Sequence, residues 1–370
     1  MNHNVVADIN LAALQHNLHV VKQLTPKGEI IAMVKGNAYG HGACEVAKKL
    51  QAESEVALLA VSCLDEAMQL QSAGIAKKIL IMMGFFDVED LRLVDQYQFA
   101  TVIHNSHQLA VLEKTPLQNL LDVWLKVDTG MHRLGFSLQE IPAAYERLLA
   151  SGKVNAPIKM MTHFADADDA TSNKTNEQMQ YFNEAVSVFS AGIASVANSS
   201  AILNWSDFSV GFVRPGIVLY GVSPLATGSG LDFGLKPVMT LTSRLIAIHD
   251  LQKGDAVGYR STWVCPEAMR IGIVAAGYGD GYALGVESGT PILVNGITCS
   301  VIGRIAMDMT SVDLRVCPMA KIGDPVVLWG RGLPIEIIAR HANTIPYELL
   351  CRLTSRVRYD FVDVDRSRGL

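Results

Sequence analysis

Residues 30–42 read IIAMVKGNAYGHG, a short apolar run that ends at Lys35 and then breaks into a glycine-rich loop. A nearly continuous apolar run of this length is typical of a parallel strand buried on both faces. Residues 10 to about 230 alternate between such runs and stretches with helical spacing. From Leu11 to Val21, apolar residues recur at steps of three and four behind Asn10, a residue suited to cap a helix.

Runs of the strand type recur along the first part of the chain. They cover residues 30–34, 56–61, 79–83, 100–103, 123–127, 158–161, 193–197 and 212–216. Eight strands alternating with helices predict an α/β fold, a (β/α)8 barrel of the TIM type. A doubly wound open sheet is the alternative, and eight successive units weigh against it.

The pattern changes at residues 225–237, LATGSGLDFGLKP, where glycine and proline cluster. Short segments rich in β-branched residues and separated by turns follow this stretch. One of them contains Asn295-Gly296, a strong signal for a two-residue hairpin. We therefore predict a barrel domain over residues 1–231 and a smaller, mostly β, C-terminal domain over residues 232–370.

Composition narrows the range of partners. The 370 residues include 31 basic and 36 acidic ones, a net charge of −5, with no block of like charge. This balance predicts neither a nucleic-acid partner nor a membrane partner. The six cysteines are scattered without a CxxC pair, and the start shows no secretory signal, so we expect reduced thiols and a cytoplasmic location. The histidines show no zinc spacing, and we expect no metal site.

Polar residues recur where the predicted barrel strands end, the place where function concentrates in this fold. They are Lys35, Lys126, His163, Asn198 with Ser199, and Arg214, and Arg133 lies in the loop after Lys126. Each has an ordinary explanation, such as a lysine that reaches water or an arginine that meets a carboxylate. Their recurrence at one face of the barrel favours a functional site.

Lys35 is the candidate for covalent chemistry. A partly desolvated lysine loses part of its preference for the charged form, and a neutral amine can condense with an aldehyde. Pyridoxal 5'-phosphate is the common aldehyde cofactor, and barrels often bind phosphate in the loops after strands seven and eight. Asn198-Ser199-Ser200 and Gly216-Ile217 occupy those two loops. The residues therefore favour pyridoxal phosphate at this face.

Six motifs, in family order, resemble blocks of the alanine racemase family along essentially the whole chain. They are AMVKGNAYGHG (32–42), KVDTGMHRLGF (126–136), THFADAD (162–168), VRPGIVLYG (213–221), GYGDGY (277–282) and GRIAMDMT (303–310). The resemblance implies a pyridoxal-phosphate-dependent isomerase that interconverts L-alanine and D-alanine. Its task would be to supply D-alanine for peptidoglycan of the cell wall, or to degrade it.

The resemblance also implies the cofactor contacts. Lys35 would hold the cofactor as a Schiff base, and Tyr39 would donate a hydrogen bond to its phosphate. Ser199, Gly216 and Ile217 would complete the phosphate cradle, with Asn198 beside them.

Four further barrel residues receive roles from the same resemblance. Arg133 would face the phenolic oxygen of the cofactor and the carboxylate of the substrate, and a carbamylated Lys126 would orient Arg133. An ordinary Lys126 bonded to water or to Asp128 is the alternative. Arg214 would donate to the pyridine nitrogen without protonating it, which limits side reactions. His163 would lie behind, bonded to Arg214 and to the catalytic tyrosine.

Racemisation needs a proton carrier at each face of a planar intermediate. Lys35 would act on the D-enantiomer, and the resemblance assigns the L-enantiomer to Tyr259 of a partner subunit. Tyr278, Met307 and Asp308 would enter the substrate site with it, which implies a homodimer with shared active sites. The alternative for Tyr259 is an exposed aromatic side chain at the end of a hairpin.

Three rival functions stay open. Ser355 stands where some family members carry a tyrosine, so a racemase with broader specificity, for alanine and serine, is one of them. A barrel-type pyridoxal-phosphate decarboxylase is the second, and Arg214 weighs against it because those enzymes place a carboxylate at the pyridine nitrogen. A non-catalytic pyridoxal-phosphate-binding protein is the third, although such proteins resemble the barrel alone.

Overall fold

A computed structural model describes residues 5–187, 189, 194–209 and 211–363. The first strand, β1, spans Val6–Asn10. The next eight strands close into a parallel barrel. They are β2 (Glu29–Met33), β3 (Val56–Val61), β4 (Ile79–Ile81), β5 (Ala100–Ile103), β6 (Val123–Lys126), β7 (Lys159–Met161), β8 (Ala194–Asn198) and β9 (Phe212–Arg214). The predicted (β/α)8 barrel is confirmed. One of its predicted strands, 193–197, begins at residue 193, which lies outside the described residues.

Helices alternate with the strands as the apolar spacing predicted, the first of them between β1 and β2. They span Leu11–Leu24, Ala43–Gln51, Leu64–Ser72, Val88–Gln96, Ser106–Lys114, Ile141–Ala150, Lys174–Ser187 and Ser199–Asn204. Side-chain caps set several of their starts: Asn10 Oδ1 accepts from Ala13 N at 3.0 Å, and Asp87 Oδ1 accepts from Asp90 N at 2.9 Å. These acceptors satisfy amides that have no partner within the helix.

The barrel interior is a packed core. Trp124 on β6 and Phe212 on β9 meet edge to face, with ring centroids 5.2 Å apart. At the strand starts, Asp122 pairs with the amines of Lys78 and Lys159, each at 2.6 Å. The end opposite the predicted site is therefore closed by apolar packing and a structural ion-pair network.

The rest of the chain forms a mostly antiparallel β region with two short helices, Ile335–His341 and Pro346–Cys351. Its strands are β10 (Met239–Leu251), β11 (Ala256–Val257), β12 (Trp263–Val264), β13 (Met269–Val274), β14 (Pro291–Val294), β15 (Ile297–Ile302), β16 (Thr310–Asp313), β17 (Pro325–Trp329) and β18 (Arg358–Val362). Asn295 and Gly296 have φ of 51° and 78° at the turn between β14 and β15, as the predicted hairpin requires.

β1 is not among the predicted strands, although its residues fall in the segment 1–231 that is predicted to form the barrel domain. β1 pairs antiparallel with β10 and parallel with β18, so the first strand of the chain belongs to the second sheet. The sheet order is β13-β16-β15-β14-β17-β10-β1-β18. A strand of five residues carries no sequence signal of its partner, because pairing depends on segments more than 200 residues away. The division at residues 231 and 232 stays a prediction. Among the described residues, no helix is long and apolar enough to cross a bilayer.

Candidate active site

Lys35 lies at the exit of β2, at the start of an unusual turn. The helical turn Lys35–Gly40 is left-handed, because Gly36, Asn37, Ala38 and Tyr39 have φ between 52° and 61° and ψ between 42° and 50°. Non-glycine residues pay roughly 1–2 kcal/mol each in this region. Surrounding contacts must therefore hold the turn in place.

The C-terminal segment supplies part of that support. The Tyr359 hydroxyl donates to Gly40 O at 2.9 Å. A Cβ at Gly40 would overlap the Leu350 carbonyl, so only glycine permits this close approach. On the other side, Asn37 Oδ1 accepts from Ala43 N at 2.8 Å and connects the turn to the next helix.

The amine of Lys35 is in a cationic environment. Burial lowers its pKa, and Arg133 and Arg214 lower it further, while Glu66 and Cys351 oppose them. A neutral amine is therefore more accessible at Lys35 than at an ordinary lysine, as condensation with an aldehyde requires.

Lys126, at the end of β6, is only 6% exposed. Burial, Arg214, Arg133 and Lys35, in that order, lower the pKa of its amine to about 7. Asp128 opposes them by its charge, while its carboxylate accepts from Gly130 N and His132 N, both at 3.0 Å. A cavity of about 10 Å³ lies between the end of β6 with its following loop and the residues after β7, and it is lined by Lys126, Val127, Asp128, Met131, Arg133, Leu134, Thr162 and His163. That volume is about what one water molecule needs.

Arg214, on β9, is 3% exposed, and its guanidinium donates hydrogen bonds to neutral acceptors. It donates to Ser195 Oγ and to Thr162 O, each at 2.6 Å, and more weakly to His163 Nδ1 at 3.4 Å. Burial lowers the pKa of Arg214 to about 10, so the guanidinium stays charged at neutral pH. No ion pair with a carboxylate involves Arg214 in the described part of the chain.

His163 follows β7 and is held neutral. Burial, then Arg214, Lys126 and Arg133, lowers the pKa of His163 well below its ordinary value. Its Nδ1 faces the Arg214 donor, so the proton of the neutral ring belongs on Nε2. The ring can therefore accept a hydrogen bond from Arg214 at Nδ1 and donate one from Nε2 on the opposite side.

The two loops after β8 and β9 meet, as the sequence predicted. Gly216 N donates to Ser199 Oγ at 2.8 Å, and a Cβ at Gly216 would overlap the hydroxyl of Tyr39. Burial raises the pKa of Tyr39, which keeps this hydroxyl a donor. Ile217, the next residue of this loop, is fully buried. Asn198 caps the following helix, with Oδ1 accepting from Ala201 N at 3.0 Å.

The residues of the second region form a separate, exposed group. Tyr259 is 69% exposed in the loop between β11 and β12. Gly279 N donates to Met307 O at 2.7 Å, which places Tyr278 and Met307 on adjoining loops, and Asp308 pairs with Arg356 at 2.7 Å. Within the described residues of one chain, no hydrogen bond or ion pair joins Tyr259 to the Lys35 group. The structure of the single chain thus brings together the barrel residues, and it places Tyr278 on a loop that adjoins Met307 and Asp308.

The barrel residues fit a doubly anionic cofactor. Four cationic side chains (Lys35, Lys126, Arg133 and Arg214) interact electrostatically at one mouth. The Tyr39 hydroxyl and the Gly216 loop meet without an intervening side chain, which leaves small residues and polar hydrogens for a phosphate. Lys35 supplies the amine for an aldehyde, and the surplus of positive charge suits a phosphate and a substrate carboxylate.

Fold and site together define a two-domain barrel enzyme built around a lysine whose pKa is lowered by burial and by neighbouring arginines. The family model "Alanine racemase, N-terminal domain" matches residues 9–224, and "Alanine racemase, C-terminal domain" matches residues 238–361. The chain belongs to the alanine racemase family.

Relatives agree over nearly the whole length. An alanine racemase of Coxiella burnetii is 45% identical over 97% of this chain and 99% of that protein. A biosynthetic alanine racemase of Escherichia coli is 46% identical over 96% of this chain and 98% of that protein. The crystal structure of the biosynthetic alanine racemase from Pseudomonas aeruginosa superposes with a TM-score of 0.93, at 38% identity over 98% of this chain and 100% of that one.

Sequence reasoning missed the residues that support the site from behind. Ser195 receives Arg214 and itself donates to Phe212 O at 2.7 Å. Tyr220 donates to Met33 O at 2.9 Å and packs on Tyr39, with centroids 5.2 Å apart. Tyr220 lies inside a quoted motif, but its inward direction is set by the barrel and could not be read from spacing.

Proposed function

We propose that this chain interconverts L-alanine and D-alanine with pyridoxal 5'-phosphate as its cofactor. The observation that carries the proposal is the low-pKa Lys35 amine at the barrel mouth, surrounded by Arg133, Lys126 and Arg214. Membership of the alanine racemase family over residues 9–361 supports the same reaction. When bound, the cofactor supplies the electron withdrawal that makes the α-proton of the amino acid acidic.

Each cationic residue has a distinct task in this proposal. Arg133, exposed at the mouth, would bind the substrate carboxylate. Lys126, carbamylated, would present an anion that orients Arg133, because a bare ammonium would add a second cation to the same cavity. Arg214 would donate a hydrogen bond to the cofactor ring nitrogen and retain its own proton.

Two proton carriers serve the two faces of the substrate. Lys35 Nζ would take or return the α-proton on the side of the D-enantiomer. The Tyr259 hydroxyl of a partner subunit would do so on the side of the L-enantiomer, where the Nε2–H of His163 can donate to it.

We propose a homodimer with shared sites on the strength of the exposed group around Tyr259. Tyr259, Tyr278 and Met307 are each more than a third exposed, which is unusual for residues that the family places in a substrate site. A second copy of the chain would bury them over the Lys35 face. We further propose a cytoplasmic location, supported by six cysteines that are all free thiols, and a role in supplying D-alanine for peptidoglycan.

The second candidate is a racemase that also accepts serine. Ser355 is exposed beside Arg356. A larger side chain at this position would leave less room for the side chain of a substrate. The decarboxylase is disfavoured, because the charged Arg214 donates to Ser195 and Thr162 and stands where that chemistry needs a carboxylate.

Purified enzyme incubated with L-alanine should lose optical rotation without releasing carbon dioxide. It should also show a visible absorbance band from the bound aldehyde, and Lys35→Ala should lose both the band and the activity. Lys159→Ala, which removes a lysine at the opposite end of the barrel, is the matched control. A band that persists unchanged in Lys35→Ala would refute the assignment, and L-serine run in parallel measures substrate tolerance.

Tyr259→Ala tests the second carrier. We expect the exchange of the α-proton with deuterated water to slow chiefly for L-alanine, while exchange from D-alanine changes less. The loss for L-alanine should be about 10²-fold or more, the size of a typical general-base contribution. NMR of each enantiomer in deuterated water measures both rates. Equal loss from both enantiomers would reject the two-carrier assignment.

A further inference from the structure

Glu66 contacts the Lys35 turn through its carboxylate. It lies in the first turn of the helix Leu64–Ser72, which follows β3. Oε1 accepts from Gly36 N at 2.7 Å, and Oε2 accepts from Ser62 N at 2.7 Å. One side chain thus connects the residue after Lys35 with the residue after the neighbouring strand.

This connection restrains the strained turn at its first residue. Gly36 has φ of 61° and begins the left-handed run, so its amide points away from the β2 ladder. A carboxylate that accepts from two backbone amides makes short, charge-assisted hydrogen bonds. Glu66 therefore holds the backbone of Lys35 against the adjacent strand of the barrel.

Glu66 also balances the charge around the Lys35 amine. The groups that act on this amine are the cations Arg133 and Arg214, the Cys351 thiol and Glu66. Lys126 and His163 also interact with Lys35. Glu66 is the one carboxylate among them in the described chain. A group that must both accept and release a proton works best when neither form is strongly excluded.

We propose that Glu66 is a positioning residue for Lys35, which fixes the backbone beside the cofactor lysine and supplies the negative charge that lets its amine hold a proton. The inference rests on the proposed function, in which Lys35 carries a proton. A neutral side chain of the same shape would keep part of the backbone contact and lose the charge.

The test compares Glu66→Gln with the unmodified full-length chain. Lys35 is acylated over a range of pH in the full-length chain from which the aldehyde cofactor has been removed, and peptide mass spectrometry measures the extent of labelling. This titration reports the pKa of the amine without any activity assay. We expect that pKa to fall by about half a unit or more in Glu66→Gln. In the cofactor-loaded enzyme, the pH profile of kcat/KM should move in the same direction.

Two further variants separate charge from structure. Glu45→Gln removes an exposed carboxylate that pairs with Lys48, and it should leave the Lys35 titration unchanged. Glu66→Asp keeps the charge but shortens the reach, so the titration should stay close to that of the unmodified chain while the melting temperature falls.

Two outcomes would overturn the proposal. One is a Glu66→Gln protein that melts earlier but titrates at Lys35 as before. The other is a Glu66→Asp protein whose Lys35 titration moves far from that of the unmodified chain, and this outcome decides the matter if Glu66→Gln does not fold. The labelling needs no substrate, so it is independent of the racemase assignment. If that assignment is wrong, L-alanine incubated with the enzyme will keep its optical rotation.

Discussion

Lys126 shows at the scale of one residue how burial changes the chemistry of an amine. Its pKa of about 7 means that the neutral form is populated from about pH 7 upward, whereas an ordinary lysine needs a pH near 10.5. The neutral amine is the form that adds carbon dioxide. A carbamate would replace a cation by an anion in the small cavity shared with Arg133 and His163.

We expect a carbamate on Lys126 that forms as pH rises through about 7 and is lost below it, because protonation removes the nucleophile. NMR of the protein in ¹³C-bicarbonate should show a carbamate signal that is absent in Lys126→Met. Lys159→Met is the matched control, since Lys159 pairs with Asp122 at 2.6 Å at the opposite end of the barrel. A spectrum identical in all three proteins would contradict the proposal.

At the scale of one element, the left-handed turn Lys35–Gly40 orients both Lys35 and Tyr39. Its residues have a backbone conformation that costs free energy, and contacts from distant parts of the chain offset this cost. Tyr359 donates to Gly40 O, and Gly42 lies against the ring of Phe361. The C-terminal strand β18 therefore stabilises a turn more than 300 residues earlier in the sequence.

Gly40→Ala should lower the free energy of unfolding by about 3 kcal/mol and weaken cofactor binding, because a Cβ would overlap the Leu350 carbonyl. Gly74→Ala is the control, since Gly74 has a similar φ of 82° but open space around it. There we expect only the backbone cost of about 1–2 kcal/mol. Urea unfolding and the absorbance band measure the two effects, and equal losses would show that the close contact is irrelevant.

At the scale of the whole molecule, the predicted site residues form two groups, and none of the groups in the described chain that shift the pKa of Lys35 belongs to the exposed group around Tyr259. The barrel group surrounds Lys35, and the exposed group includes Tyr259 and Met307. A closed dimer in which each copy offers its exposed group to the other would complete two sites at once.

Mixed dimers test this arrangement directly. Chains carrying Lys35→Ala and chains carrying Tyr259→Phe, unfolded and refolded together, should recover about a quarter of the original activity, because half of the dimers then contain one complete site of two. Mixing Lys35→Ala with the double variant Lys35→Ala/Tyr259→Phe should restore nothing. If the first mixture also stays inactive, each site uses its own tyrosine and the shared-site proposal fails.

Local pattern alone determined the barrel and the strand-end residues. Apolar runs of four to six residues, helical spacing between them and polar residues at their ends are short-range features, and the structure places Lys35, Lys126, His163 and Arg214 at one mouth as they predicted. The hairpin at Asn295-Gly296 was visible for the same reason.

The remaining features come from the folded chain as a whole, and no short segment predicts them. The tertiary structure placed β1 in the second sheet, made the Lys35 turn left-handed and brought Glu66 onto Gly36. These features depend on contacts between segments far apart in sequence, whose energies no local spacing encodes. Burial likewise set the pKa of Lys126, because desolvation by the surrounding barrel is a property of the folded chain.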